Sequence, residues 1–133
     1  MKDLISKIKN ARQVFICGNG GSSATAEHLA SDLFSKGIKA ICLNSNNAIM
    51  TMIANDFGYG WVFSRQLDVF ANHEDLLITI SCSGNSPNIL RAIDTAHFHQ
   101  MEVFSFETFT KDKDYEGLED KHMKFAHRIK NAL

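Results

Sequence analysis

Short apolar runs alternate with longer amphipathic stretches along the chain. The runs are rich in β-branched and aromatic residues and predict strands buried on both faces, at 13–17 (QVFIC), 39–43 (KAICL), 76–80 (LLITI) and 102–106 (EVFSF). Helical patterns follow them, at 22–35, 47–54, 61–70, 85–99 and 116–133. This alternation favours right-handed crossovers. It therefore predicts an α/β, flavodoxin-like fold with a parallel sheet in the order 2-1-3-4 and helices on both sides. Four strands are expected, and a fifth is left open.

Composition narrows the class of protein. The chain has 133 residues, 44% of them hydrophobic, which predicts one domain over residues 1–133. Its net charge is −1, without a long basic block, so no nucleic-acid partner is expected. There is no apolar run of about 20 residues to span a membrane, and the start lacks the apolar stretch of a signal peptide. Cys17, Cys42 and Cys82 lack the spacing of a metal site. We therefore expect reduced thiols in a cytoplasmic protein without a membrane partner.

Two loops rich in glycine and serine stand in equivalent places. CGNGGSS follows the first predicted strand, SCSGNS follows the third, and each begins a helix. The free N–H groups and the positive dipole end of a helix N-terminus bind anions. Glycine lets the backbone approach a ligand, and serine hydroxyls add neutral donors. The loops therefore predict a phosphate site, although well-capped turns without a ligand remain the simpler alternative.

The sequence motifs that these two loops lack narrow the class of phosphate ligand. The first loop lacks the third glycine of the dinucleotide fingerprint, and no acidic residue ends the second strand. Neither loop has the GKS or GKT sequence of nucleotide triphosphate loops. A phosphorylated small molecule fits these loops better than a nucleotide does.

Three longer motifs resemble a known family. The segments CGNGGSSATAEHLASDL, NAIMTMIANDFGYGWVFSRQL and DLLITISCSGNSPNILRAI are similar to the sugar isomerase (SIS) domain, and in particular to its phosphoheptose isomerase branch. The resemblance runs from about Val14 to Val103. It implies conversion of sedoheptulose 7-phosphate to D-glycero-D-manno-heptose 7-phosphate, an aldose–ketose isomerisation through an enediol, for the heptose of surface polysaccharides.

The resemblance also implies which residues bind the substrate. The second serine loop would hold the sugar phosphate through Ser81, Cys82, Ser83 and Ser86, with Cys82 in place of the usual threonine. Other positions that contact substrate in the family correspond to Asn19, Ser22 and Asp56.

Isomerisation needs a base and an acid near the sugar. His28 and Asp32 are spaced i,i+4 and share one side of their helix. The resemblance makes Asp32 the general base, one methylene shorter than the family's glutamate, and His127 the general acid. Glu119 stands in the place of a glutamine eight residues before His127, and the resemblance makes it a further substrate-binding residue. Some family members bind zinc at the positions of His28, Asp32, Glu119 and His127, so zinc is a candidate cofactor.

Two further expectations concern assembly and function. The chain begins shortly before its first strand, and a fifth strand of the family is expected to be lost between Phe106 and Glu119. Family active sites form between subunits, so a homo-oligomer, either a dimer or a tetramer, is expected. The alternative to an enzyme is a non-catalytic SIS module that binds a phosphosugar or a protein. His28 and His127 favour the enzyme, whereas Asp32 and Glu119 favour the module.

Overall fold

A computed structural model describes residues 1–109 and 113–133 of the chain. Its elements are α1 Lys2–Asn10, β1 Val14–Gly18, α2 Gly21–Ser35, β2 Ala40–Cys42, α3 Asn47–Asp56, a 3-10 turn Tyr59–Trp61, α4 Ser64–Phe70, β3 Leu76–Ile80, α5 Pro87–Phe98, β4 Glu102–Ser105 and α6 Tyr115–Ala132. The predicted strands agree with these bounds to within one residue at each end.

The strands form one parallel sheet in the order β2-β1-β3-β4. Both the α/β class and the predicted strand order are confirmed. In the described part of the chain the sheet has no fifth strand. Residues 110–112, within the stretch where the loss of a strand is predicted, lie outside the described residues.

Alternating strand residues bury two separate cores. Val14 and Ile16 point to one side, where α1, α2 and α6 pack with Leu29 and Ile129. Phe15 points to the other side, where α3, α4 and α5 pack. All five residues of β1 and of β3 are buried. This burial on both sides explains why the two strands read as continuous apolar runs rather than as alternating ones.

The prediction of one helix over 61–70 is wrong at its start. The backbone turns at Gly58, whose φ is +104°, and then makes the short 3-10 turn. The α-helix begins only at Ser64. Among the described residues, no helix is both long enough and apolar enough to cross a membrane.

Candidate active site

The two glycine and serine loops lie side by side at one edge of the sheet. They follow β1 and β3, which are neighbours in the sheet, and Gly18 at the end of β1 is aligned with Ile80 at the end of β3. The chain crosses from β1 to β2 on one side of this pair of strands, and from β3 to β4 on the other side. Ligands bind open α/β sheets at the carboxyl ends of such strands.

Gly18 is needed for the first loop to close against the second. A Cβ atom at this position would lie 2.6 Å from the Ser22 carbonyl oxygen and 2.9 Å from the Ile80 carbonyl oxygen. Asn44 clamps the same residue, because its Nδ2 donates to the Gly18 carbonyl at 2.7 Å and its Oδ1 accepts from the Gly18 N–H at 3.2 Å. Asn44 was not identified from the sequence, since its loop shows no motif.

Two serine hydroxyl oxygens of the second loop accept hydrogen bonds from the loop's own backbone. Ser81 Oγ accepts from the Gly84 N–H at 3.0 Å, and Ser83 Oγ accepts from the Asn85 N–H at 3.1 Å. Each hydroxyl therefore keeps its hydrogen for another acceptor. Ser86 is the N-cap residue of α5 and its side chain makes no capping hydrogen bond. The loop thus presents hydroxyl donors together with a helix N-terminus.

A cavity of about 120 Å³ lies between this loop, the first loop and α6. We call it the serine-loop cavity, and its lining residues are Asn19, Ser22, Ile80, Ser81, Cys82, Ser83, Ser86, Tyr115 and Glu119. No lysine, arginine or histidine of the described chain is among them. Its volume is well below the roughly 300 Å³ at which pockets for whole small molecules begin. It suits one end of a substrate, such as a phosphate group.

Seven of the predicted substrate-binding residues line this cavity and one does not. Asp56 lies exposed at the end of α3, where its Oδ1 accepts from Asn55 Nδ2 at 3.0 Å. Within this chain, the structure therefore does not bring Asp56 to the cavity.

Asn19 is held by two residues that the sequence analysis missed. Its amide exchanges two hydrogen bonds of 2.9 Å with the amide of buried Asn88. The Tyr59 hydroxyl also donates to Asn19 Oδ1, at 3.0 Å. Asn88 lies in the first turn of α5, so its position at the same sheet edge as Asn19 is the signal that could have identified it.

Glu119 places a carboxylate in the serine-loop cavity, directly against the start of α2. A Cβ atom at Gly21 would collide with this carboxylate. Burial raises the pKa of the neighbouring Cys82 thiol, a hydrogen bond with Ser22 opposes that rise, and the charge of Glu119 adds to it. Cys82 is therefore a neutral thiol near neutral pH, and Glu119 supplies the negative charge of the cavity.

A second group of side chains joins α2 to α6. His28, Asp32 and His127 each place one ligand atom within 4.8 Å of the others, and we call them the α2–α6 cluster. His127 Nε2 lies 3.1 Å from His28 Nε2, which lies 3.3 Å from Asp32 Oδ2. The structure thus brings the predicted base and the predicted acid together within one chain, and not across a subunit interface, where the resemblance to the family placed them. Lys130, which the sequence analysis did not identify, binds the other Asp32 oxygen, with Nζ 2.7 Å from Oδ1.

The α2–α6 cluster has the donors of a metal site. Two imidazoles and a carboxylate are a common ligand set for catalytic zinc. Two ligand atoms at about 2.0–2.1 Å from a tetrahedral zinc ion would be about 3.3 Å apart, close to the separations seen here. Asp32 Oδ2 is buried and has no hydrogen-bond partner among the described residues. His28, Asp32 and His127 could therefore hold a metal ion, whereas Glu119 lies outside this group.

His122 lies between Glu119 and His127 in sequence but belongs to neither site. Its side chain is buried, contacts the Phe106 ring edge-on, and places Nε2 2.7 Å from the Glu107 carbonyl oxygen. Through these two contacts His122 links α6 to the segment after β4.

Known proteins resemble this chain in sequence and in structure. The family model for the SIS domain matches residues 2–107. A phosphoheptose isomerase of Helicobacter pylori (strain P12) is 44% identical over 108 residues, covering 77% of this chain and 56% of that protein. The chain therefore spans little more than half of that relative. A phosphoheptose isomerase of Campylobacter concisus (strain 13826) is 44% identical over 146 residues, covering 95% of this chain and 77% of that protein.

A solved structure agrees in fold over nearly the whole chain. The phosphoheptose isomerase of Neisseria gonorrhoeae superposes with a TM-score of 0.91 at 26% identity, covering 98% of this chain and 80% of that one. The Campylobacter alignment is longer than this chain of 133 residues, so that relative has residues inside the aligned range that this chain lacks. The matches in family model, sequence and structure all point to one conclusion. This chain belongs to the phosphoheptose isomerase branch of the SIS domain family.

Proposed function

We propose that this protein isomerises a phosphorylated sugar, with sedoheptulose 7-phosphate converted to D-glycero-D-manno-heptose 7-phosphate. The observation that supports this most strongly is the gathering of seven predicted substrate-binding residues around the serine-loop cavity. In this proposal Ser81, Ser83 and Ser86 donate to the phosphate oxygens, together with the free N–H groups of the first turn of α5.

The spacing of the two sites supports a long substrate. Glu119 lies in the serine-loop cavity, and His127 of the α2–α6 cluster is eight residues further along α6. Eight residues correspond to about 12 Å of helix. A seven-carbon ketose phosphate has its reacting carbons at one end and its phosphate at the other, so it matches sites that are well separated.

The proposed chemistry moves one proton between neighbouring carbons. Asp32 Oδ2 removes the proton from C1 while His127 donates a proton to the C2 oxygen, which forms the enediol. Asp32 then returns its proton to C2, and His127 takes the proton from the C1 oxygen, which leaves the aldehyde at C1. Both groups end in their starting protonation states, so the cycle is balanced.

A zinc ion belongs to the same proposal as a candidate cofactor. Held by His28, Asp32 and His127, it would act as a Lewis acid on the sugar oxygens. Asp32 has one oxygen that is not bound by Lys130. That oxygen can bind a metal or accept a proton, but not both at once. Base and ligand are therefore alternative roles of Asp32.

We also place the protein in the cytoplasm as a homo-oligomer. The three cysteines are free thiols, which is typical of a reducing compartment. Phe57, Tyr59 and Trp61 are exposed beside the turn that carries the Tyr59 bond to Asn19. Exposed aromatic groups of this kind favour a subunit interface close to the active site.

The test is an isomerase assay of the purified full chain with sedoheptulose 7-phosphate, with and without added zinc. We expect an aldose 7-phosphate product, identified by NMR, and no product with the Asp32→Asn variant. Calorimetry with the same sugar separates binding from conversion. Binding without conversion would favour the non-catalytic phosphosugar-binding module, the alternative for which the departures from the family at Asp32 and Glu119 speak.

A further inference from the structure

Asp32 is bound differently at its two oxygens. The residue is only 4% exposed, so water does not solvate its carboxylate freely. Oδ1 accepts a hydrogen bond of 2.7 Å from Lys130 Nζ. Among the described residues, Oδ2 has no hydrogen-bond partner, and it lies 3.3 Å from His28 Nε2. A buried carboxylate with one oxygen held and one oxygen free has a fixed orientation and a free acceptor.

We propose that Lys130 is a positioning residue, which holds Asp32 by Oδ1 so that Oδ2 faces His28 and His127. This inference rests on the proposed function, because it assigns Asp32 Oδ2 a role as proton acceptor or metal ligand. Carboxylates that act as metal ligands are commonly oriented by a hydrogen bond to their second oxygen, and loss of such a partner typically weakens metal binding by about 10- to 100-fold.

The alternative to positioning is a simple tie between two helices. Lys130 lies on α6 and Asp32 on α2, and these helices pack closely through Ala126, Ile129 and Leu29. The packing is apolar and already joins the helices. The Lys130 side chain is 39% exposed, so water screens its ammonium group and reduces what its ion pair with Asp32 adds to stability. The geometry therefore favours a role for Lys130 in orienting Asp32 over a role in holding the fold.

The short side chain of Asp32 makes this positioning more important. It stands where the resemblance expects a glutamate, and a change of about 1 Å in the place of a catalytic group can cost about 100-fold in rate. His127 and Lys130 are three residues apart on α6, so they lie on the same side of that helix. One helix thus supplies both the predicted acid and the group that orients the predicted base.

The experiment measures the binding of Co²⁺ to the α2–α6 cluster spectroscopically, and it measures isomerase turnover as a second readout. Full-length wild type, Lys130→Met and Lys130→Arg are compared, with Lys124→Met as the control, because Lys124 is exposed on α6 and does not contact Asp32. We expect Lys130→Met to bind Co²⁺ at least tenfold more weakly and to lower kcat at least tenfold with an unchanged KM. Lys130→Arg should restore both to within about threefold, and Lys124→Met should match wild type. Circular dichroism checks folding, and Lys130→Gln replaces Lys130→Met if the latter is unfolded.

Three results would overturn the proposal. Equal or tighter Co²⁺ binding by Lys130→Met would mean that the ammonium group repels the metal rather than orienting its ligand. Equal losses in Lys130→Met and Lys124→Met would mean that only the charge of α6 matters. A wild type that neither binds Co²⁺ nor turns over sugar would leave Asp32 without the role that Lys130 is inferred to support. By contrast, Co²⁺ binding that depends on Lys130 without turnover would refute the proposed isomerase and support this inference.

Discussion

The serine-loop cavity and the α2–α6 cluster lie toward opposite ends of the same pair of helices, and they differ in chemistry. The cavity holds hydroxyls and a neutral thiol on a loop whose serine side chains accept from backbone N–H groups, and it holds the Glu119 carboxylate of α6. The cluster holds two imidazoles and a carboxylate bound by an ammonium group. The first arrangement is suited to holding an anion without reacting with it. The second is suited to moving protons or binding a metal.

The difference separates binding from chemistry in a way that mutations can test. A change in the cavity should alter substrate affinity and leave kcat nearly constant. A change in the cluster should alter kcat and leave affinity nearly constant. The following predictions are ordered by the size of the expected effect.

The largest effect is expected for the proposed base. Asp32→Asn removes the proton acceptor but keeps the size of the side chain, so we expect at least a hundredfold loss of kcat. Affinity for sedoheptulose 7-phosphate, measured by calorimetry, should stay within about threefold of wild type. Asp94→Asn, at an exposed position of α5, is the control. Asp32→Glu should keep or raise turnover. If Asp32→Asn turns over as fast as wild type, Asp32 is not the base.

The second effect tests the serine-loop cavity. We expect the double variant Ser83→Ala, Ser86→Ala to bind the sugar phosphate about 100-fold more weakly, because each hydroxyl bond to a charged group contributes about 1.5–3 kcal/mol. Calorimetry measures the affinity, and Ser6→Ala, an exposed serine of α1, is the control. Unchanged affinity in a folded double variant would place the phosphate elsewhere.

The sequence predicted the cavity better than the cluster because the cavity is built from local patterns. A strand, a loop of small residues and a helix are contiguous in sequence, so Ser81 and Ser83 could be assigned before the structure was known. His28 and Asp32 are also local, being one turn apart on α2. Lys130 could not be found in this way, since it is 98 residues from Asp32. The contact between Lys130 and Asp32 depends on how α6 is rotated against α2. The hydrophobic periodicity within either helix does not determine that rotation.

The positions of Asn19, Asn88 and Asp56 also depend on contacts or chain bends that no local sequence pattern determines. The Asn19 pair with Asn88 joins the first loop to the start of α5, 69 residues further along the chain, so it depends on the strand order of the sheet. The exposed position of Asp56 depends on where α3 ends, just before the turn at Gly58. The sheet itself was predictable, because burial on both faces gives β1 and β3 an apolar pattern that few other structures produce.

The third prediction concerns the charge of the cavity. Glu119→Gln removes a carboxylate that shares the cavity with the proposed phosphate site. Unit charges about 4 Å apart repel by about 1 kcal/mol even in water, and a phosphate dianion doubles this. We expect the variant to bind the sugar phosphate about tenfold more tightly, with Glu116→Gln, exposed at the start of α6, as the control. Weaker binding would instead make Glu119 an acceptor for a sugar hydroxyl.

The smallest effect is expected for Cys82→Thr, and it distinguishes donor strength from charge within the same cavity. Burial raises the pKa of the Cys82 thiol, so the side chain is neutral near pH 7 and the substitution changes no charge. It replaces a weak S–H donor by a hydroxyl, which should tighten sugar-phosphate binding by about fivefold, or about 1 kcal/mol. Because no charge changes, this gain should be the same at low and high salt. The gain from Glu119→Gln should shrink as salt screens the repulsion. Calorimetry at about 0.05 and 0.5 M salt measures both. A gain from Cys82→Thr that disappears at high salt would mean that the wild-type cysteine is a thiolate, which repels the phosphate. That result would contradict the raised pKa of Cys82 and the neutral thiol inferred from it.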